Sequence, residues 1–152
     1  MDWVPGLAQV PFIPVEETLI RFTKSLSAAA LALCVAMAAV PAAQAATEAP
    51  FTQQAFASAQ REGKPILVDI SATWCPTCAK QRPILSQLMA DPAFKDLVVY
   101  QVDFDTQKDV VRAMGAQMQS TLVVFHGAAE KGRSTGDTNA QSIKALLQKA
   151  NG

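Results

Sequence analysis

The chain has 152 residues, 50% of them hydrophobic and 17% charged, a length and composition that suit one compact domain. Lysine and arginine together number 13, and so do aspartate and glutamate, which leaves a formal net charge of zero. Without a basic excess the chain has no obvious surface for neutralising phosphates, so we expect no nucleic-acid partner.

The beginning of the chain has the pattern of an export signal. Two basic residues precede an apolar run, Ser25–Val40, and the small-residue sequence AQA follows, ending at Ala45. This order predicts a secretory signal peptide over residues 1–45, with cleavage before Ala46. The apolar run is slightly short for a spanning helix, and an uncleaved membrane anchor is the alternative. Cleavage would leave residues 46–152 as the exported domain.

Two further features belong to this first region. Residues 1–20 carry three acidic residues and three prolines, which is unlike the positive start of a signal peptide. We therefore expect translation to begin later, at Val15 or Leu19. Cys34 lies within the apolar run and is expected to leave with the signal.

Helix and strand patterns alternate through the rest of the chain. Apolar residues at helical spacing alternate with short runs of branched aliphatics, and glycine or proline ends several segments. Strands separated by helices are expected to be parallel, and a final hairpin adds an antiparallel edge. The sequence thus predicts an α/β fold in which a mixed sheet of about four strands carries helices on both faces, with Ile66–Ser71 in the middle. The predicted order is a helix within 51–65, strand Ile66–Ser71, a helix from Pro76, strand Leu97–Phe104, a short helix ending at Gly115, strand Thr121–Gly127, an edge strand over 130–136 and a helix over 137–150.

Cys75 and Cys78 flank the start of the second predicted helix. Pro76 suits the first helical position, so Cys75 sits where unpaired N–H groups and the helix dipole favour an anion. A stabilised thiolate is the nucleophile of disulfide exchange. Cys78, one turn further along, is placed to resolve the mixed disulfide that such an attack forms.

These residues resemble the thioredoxin family. The sequence WCPTC follows a strand, Asp69 lies six residues before Cys75, and Pro83 lies five residues after Cys78. The resemblance runs from about Phe51 to Leu147 and implies a thioredoxin fold and a thiol-disulfide oxidoreductase that acts on protein disulfides without a bound cofactor. The stretch REGKPILVDISATWCPTC is most similar to exported, periplasmic thioredoxin-like domains that receive electrons from a membrane-embedded reductase. We expect a monomer.

Asp69 and Thr77 refine this expectation. A carboxylate in a central strand is desolvated, which raises its pKa, and the resemblance implies that Asp69 lies beneath Cys78 and takes the proton of that thiol. The alternative is a strand acid that reaches solvent or a backbone donor. Strongly oxidising relatives carry a histidine between the cysteines, whereas Thr77 brings no charge, which favours a reductase or an electron relay.

The sequence departs from the family at Ser120. The family has a cis-proline facing the cysteines, and the ungapped alignment places Ser120 there. A cis bond before a residue other than proline costs roughly 3 to 4 kcal/mol, so we predict a trans Gln119–Ser120 bond. Ser120 could donate a hydrogen bond to the Cys75 thiolate. Alternatively, the lost proline ring could open the sulfurs to metal, and two chains could supply four thiolates to a zinc or iron–sulfur site.

The remaining candidates surround the cysteines or lie on the surface. Trp74 is expected either to line a partner groove or to support the packing. Lys80 and Arg82 are expected on a solvated helix face, and His126 is expected to be a surface residue at a strand end. The predicted substrate-binding residues are Trp74, Pro76, Thr77, Gln119, Ser120 and Thr121.

Overall fold

Residues 45–152 are described by the computed structural model of the chain. The predicted signal peptide, the start site and Cys34 lie outside the described residues. Within residues 45–152, no helix is both long enough and apolar enough to span a bilayer.

The described residues form five strands and four α-helices. They are β1 (Thr47–Pro50), α1 (Gln53–Arg61), β2 (Pro65–Ser71), α2 (Pro76–Met89), β3 (Val98–Asp103), α3 (Lys108–Ala113), β4 (Thr121–His126), β5 (Ala129–Thr135) and α4 (Ala140–Gln148), with 3₁₀ turns at Pro92–Phe94 and Lys149–Asn151. The strands form one sheet in the order β1-β3-β2-β4-β5. β1, β2 and β3 are parallel to one another, whereas β4 and β5 run antiparallel to their neighbours.

The central position of β2 follows from its sequence. PILVDIS is apolar on both sides of the strand, as expected for a strand that is covered on both faces. Successive side chains point to opposite faces, so Ile66, Val68 and Ile70 join the core under α1 and α3, while Leu67 joins the core under α2 and α4. Asp69 points to the same face as Leu67, and this alternation puts one carboxyl group beneath α2.

The sheet has five strands, one more than the sheet of about four strands that the sequence predicts. β1 is four residues long, is mostly exposed and contains Pro50, so it shows no strand periodicity. It forms by pairing in parallel with β3, and hydrogen bonds extend this pairing at both ends: Thr47 N–H donates to Leu97 O at 3.0 Å and Phe51 N–H donates to Gln101 O at 2.9 Å. The pairing is tertiary, which explains why the local sequence does not indicate it.

The core between β2 and α1 is built on aromatic contacts. The ring of Phe56 lies 5.3 Å from Phe51, 6.0 Å from Tyr100 and 5.4 Å from Phe125, measured between centroids. Thr52 caps α1, because its hydroxyl accepts the Ala55 N–H at 3.2 Å. This packing fixes one face of the strand that carries the cysteine loop.

Replacing Phe56 with alanine should lower the free energy of unfolding by about 3–5 kcal/mol, because the change removes a buried ring and leaves a cavity. Met118→Ala is the control: that side chain is 57% exposed, and its loss should cost less than about 0.5 kcal/mol. Urea denaturation of both variants measures the difference. A loss below about 1 kcal/mol for Phe56→Ala would contradict the packing described here.

Candidate active site

The two cysteines lie where α2 begins, directly after β2. Cys75 is the N-cap of α2: its backbone is extended, and its Sγ accepts the Cys78 N–H at 3.1 Å. Pro76 occupies the first turn, where its missing N–H costs nothing. Both thiols are free and buried, with Ala72 beside them and Phe104 packed against them. The sulfur of Cys75 therefore takes the place that a capping oxygen holds in most helices.

The pKa of Cys75 is lowered from its ordinary value of 9.0. Burial raises this pKa, because only 2% of the residue is exposed, but hydrogen bonds to the sulfur outweigh that effect. These bonds involve the thiol of Cys78, the hydroxyl of Ser120 and the backbone N–H groups of Cys78 and Thr77. The arrangement favours a thiolate on Cys75, which is the reactive form of a cysteine.

Ser120 faces both sulfurs from the loop before β4. Its Oγ lies 3.1 Å from Cys75 Sγ and 3.2 Å from Cys78 Sγ. No cis peptide bond occurs in residues 45–152, so the trans Gln119–Ser120 bond predicted from the sequence is confirmed. Ser120 has a φ of +61°, the left-handed region that a serine rarely adopts. The strain indicates that the surrounding structure holds this residue in place.

Gln81 is part of that surrounding structure and was not predicted from the sequence. Its side chain is buried, and its amide Nε2 donates to Ser120 O at 3.4 Å and to Asp137 O at 2.8 Å. The Gly136 N–H donates to the same Ser120 carbonyl at 2.9 Å. A weak signal exists in the sequence, since Gln81 lies three residues after Cys78 and thus on the same helix face.

Asp69 is buried beneath α2, with 8% of the residue exposed. Burial raises its pKa from 3.8 to about 6; the negative charge of Glu48 adds to the increase, and the positive charge of Arg82 opposes it. Its Oδ1 accepts no hydrogen bond. The structure therefore supports the predicted desolvated acid. No backbone donor holds Oδ1, and the contact with solvent that the alternative also allowed is limited to the small exposed fraction of the residue.

A cleft of about 320 Å³ connects Asp69 with the surface. Arg82 and Gln101 help to line it, and the Arg82 guanidinium donates to Ala72 O at 3.4 Å. Arg82 is exposed on the helix, as predicted, and its side chain also reaches back over the cleft. Glu48, which hydrogen-bonds Gln101, comes from β1 and could not be placed without that strand.

The predicted partner-binding residues differ in how far they are exposed to solvent. Trp74 is 61% exposed, and its indole N–H donates to Asp105 Oδ2 at 2.7 Å, so the ring is held outside the core. Met118, which was not predicted, is also exposed and lies two residues before Ser120 in the loop that precedes β4. Thr121, by contrast, is buried, and its hydroxyl donates to Met118 O at 2.7 Å. Its side chain supports the loop instead of facing a partner. Pro76 is exposed, and Thr77 and Gln119 are half-buried.

Two other expectations concern residues away from the sulfurs. Lys80 is exposed, as predicted. His126 ends β4 but is half-buried, and its Nδ1 lies 2.9 Å from Ala150 O, so it packs against the C-terminal turn rather than standing free on the surface. In the part of the chain that the structure describes, no three histidine, cysteine or acidic side chains group as metal ligands would.

Comparison with known proteins adds an independent finding. A family model described as Thioredoxin matches residues 47–149. The thioredoxin of Mycobacterium bovis is 32% identical over 102 residues, which cover 67% of this chain and 81% of that protein. Thioredoxin Asp f 29 of Aspergillus fumigatus is 28% identical over 94 residues, 61% of this chain and 84% of that protein. The crystal structure of Trxlp from Edwardsiella tarda matches with a TM-score of 0.65 and 40% identity, over 67% of this chain and 98% of that one.

The ionisation of Asp69 should make stability depend on pH. Because its folded-state pKa, about 6, exceeds the ordinary 3.8, the stability that its protonation contributes is fully present below about pH 4 and is lost as the pH rises through 6. At 1.36 kcal/mol per unit, the loss is roughly 2–3 kcal/mol. The free energy of unfolding of Asp69→Asn, relative to that of the wild type, should therefore rise by that amount between pH 4 and pH 8, as measured by urea denaturation.

Two charge variants serve as controls for this prediction. Glu48→Gln should move the Asp69 titration to lower pH, and Arg82→Gln should move it to higher pH, because the two charges act on the carboxyl group in opposite directions. The carboxyl carbon signal of Asp69 in NMR titrations reports both shifts. Shifts in the same direction would refute the electrostatic account.

Proposed function

The chain belongs to the thioredoxin family and is a thiol-disulfide oxidoreductase, and from that premise we propose that it is an exported reductase or electron relay for protein disulfides. The family, the α/β fold class and the enzyme class predicted from the sequence are confirmed. The observation that carries the proposal is the position of Cys75 Sγ at the start of α2, where the Cys78 N–H and the Ser120 hydroxyl converge on it.

The proposed reaction is dithiol exchange. The Cys75 thiolate attacks one sulfur of a partner disulfide; the bond from Cys75 Sγ to that sulfur forms, the partner S–S bond breaks, and the partner's other sulfur leaves as a thiolate. Cys78 then loses its proton and attacks Cys75 Sγ, which releases the partner's remaining sulfur. Two electrons pass to the partner, whose two sulfurs take up protons from solvent, and the enzyme is left with a Cys75–Cys78 disulfide.

Asp69 is the proposed acceptor of the Cys78 proton. A carboxyl group with a pKa of about 6 exchanges protons readily near neutral pH. The cleft beside Asp69 gives solvent access through which the proton can leave. Oxidised enzyme would be reduced again by a membrane-embedded thiol donor, so no bound cofactor is needed.

The proposed direction of electron flow rests on the residues between the cysteines. Pro76 and Thr77 bring no charge near Cys75, so no charged side chain between the cysteines adds to the hydrogen bonds that stabilise the thiolate. A positive charge between the cysteines would stabilise the reduced form of the enzyme and make the dithiol–disulfide couple more oxidising. The uncharged pair therefore favours a reducing role.

The proposed docking surface for a partner is formed by residues next to Cys75 in the chain and by the loop that carries Ser120. Trp74 and Met118 are large, apolar and exposed, and exposed apolar groups of this kind mark protein contact sites. Pro76, Thr77 and Gln119 complete the rim. A partner would reach the buried sulfur by seating its disulfide among these side chains.

Reduction of insulin by dithiothreitol tests the oxidoreductase activity. The wild-type protein should accelerate precipitation of the insulin B chain, and Cys75→Ser should abolish the acceleration because it removes the nucleophile. Cys78→Ser is the matched variant: it should also lose turnover, and when the reduced variant is incubated with insulin without dithiothreitol it should accumulate a mixed disulfide with the substrate, visible on a non-reducing gel. Equal activity in the wild type and in Cys75→Ser would remove the proposal.

Export is tested by expressing the full chain and sequencing the amino terminus of the periplasmic protein. We expect Ala46 as the first residue, because the small residues at positions 43 and 45 suit signal peptidase. Leu33→Arg, which breaks the apolar run, should keep the protein in the cytoplasm. Wild-type protein that stays in the cytoplasm would contradict export, and exported protein that keeps its apolar run would indicate an anchor.

A further inference from the structure

One hydroxyl group lies between the two sulfurs of the active site. Ser120 Oγ is within 3.2 Å of Cys78 Sγ and 3.1 Å of Cys75 Sγ, and all three residues are buried. A hydroxyl has a single hydrogen to donate, and it rotates to suit its acceptor. Ser120 can therefore serve either sulfur in turn by rotation about its Cβ–Oγ bond alone.

The backbone around Ser120 keeps this oxygen where it is. The Ser120 carbonyl accepts hydrogen bonds from Gly136 N–H and Gln81 Nε2, and the next residue, Thr121, pairs with Ile70 of the central strand. The sulfurs are carried by the first turn of α2, which follows the same strand. The distances from the oxygen to the two sulfurs are thus set by the fold before any partner binds.

Negative charge occupies the two sulfurs one after the other during dithiol exchange. In the attacking form of the reduced protein it lies on Cys75, whose pKa the Ser120 hydroxyl helps to lower. In the mixed disulfide Cys75 Sγ is neutral, and resolution requires the charge to develop on Cys78 Sγ. Hydrogen bonds to ionised groups are stronger than bonds between neutral groups, so the hydroxyl hydrogen should follow the charge.

We propose that Ser120 is a catalytic hydrogen-bond donor in both halves of the exchange, stabilising the Cys75 thiolate during attack and the Cys78 thiolate during resolution. This inference rests on the proposed function and deepens it. In the second half, Cys78 gives its proton to Asp69 or to water, the Cys78–Cys75 bond forms, and the partner's sulfur leaves with the electron pair and takes up a proton. Ser120 keeps its own proton throughout.

Ellman's reagent, an aromatic disulfide that releases a coloured thiolate, separates the two halves in one stopped-flow experiment. With the reduced wild-type protein, the first release reports attack by Cys75 and the second reports resolution; Cys78→Ser gives the first release alone. Ser120→Ala and Ser120→Gly both remove the hydroxyl, and glycine also relieves the strain at a φ of +61°. A defect shared by the two variants therefore belongs to the hydroxyl and not to the loop.

Ser134→Ala is the matched control, because Ser134 Oγ is buried and has no hydrogen-bond partner, so it makes no hydrogen bond to either sulfur. In both Ser120 variants the pH profile of the first release should move up by about one unit, the size expected for one lost hydrogen bond to a charged group. At pH values below the pKa of Cys75, the first release should slow about threefold. The fraction of Cys75 present as thiolate falls about tenfold, and the greater nucleophilicity of a more basic thiolate partly offsets that loss. The control should match the wild type.

The rate of the second release tests the role of Ser120 in resolution by Cys78. At pH 7 the second release should slow roughly three- to tenfold in both Ser120 variants. Fewer Cys78 thiols ionise without the hydroxyl, and the greater nucleophilicity of those that do offsets only part of the loss. A second release that is unchanged in both variants, or a first release with an unshifted pH profile, would overturn the role of Ser120. A wild-type protein that releases only one equivalent would instead overturn the proposed function itself, and the inference with it.

Discussion

The capping of α2 by a sulfur atom is the contact on which the rest of the site depends. A helix begins with N–H groups that have no partner inside the helix, and here the Cys78 N–H is satisfied by Cys75 Sγ at 3.1 Å. A neutral thiol is a weak acceptor, whereas a thiolate is a strong one. Ionisation of Cys75 and the stability of the first turn of α2 are therefore coupled, because each strengthens the other.

Burial works against that ionisation, and the structure resolves the conflict through placement of donors. A sulfur that is 2% exposed should prefer its neutral form, yet the net effect on Cys75 is a lowered pKa. The donors come from two separate parts of the fold: α2, which supplies backbone N–H groups and the Cys78 thiol, and the loop before β4, which supplies the Ser120 hydroxyl. Only a rigid sheet can keep groups so distant in sequence within hydrogen-bond distance of one atom, and this is what the two cores on either side of β2 provide.

The sequence indicates the parts of this arrangement that are local. The run ILVDIS predicted the central strand, and Pro76 after Cys75 predicted the helix start, because both signals lie within a few residues. β1 was missed since its four residues form a strand only by pairing with β3. Gln81 and Arg82 are ordinary helix-surface residues in sequence terms, and their contacts with Ser120 O and Ala72 O depend on how α2 lies over the sheet. The left-handed backbone of Ser120 has no local signature either.

Two features of the site cost stability: the backbone of Ser120, which the sequence does not indicate, and the buried carboxyl group of Asp69, which it does. A serine with a φ of +61° carries strain of about 1–3 kcal/mol, and Asp69 is a buried carboxyl group with one unpaired oxygen. Both are held by the β2–β4 ladder. Asp69 belongs to it and lies opposite Leu122, and Ser120 directly precedes Thr121, which lies opposite Ile70. The same ladder that bears these costs sets the separation of the acid, the hydroxyl and the sulfurs. A looser sheet would relieve the strain, but it would also release the donors from Cys75, so the reactivity of the thiol depends on a fold stable enough to hold unfavourable groups in place.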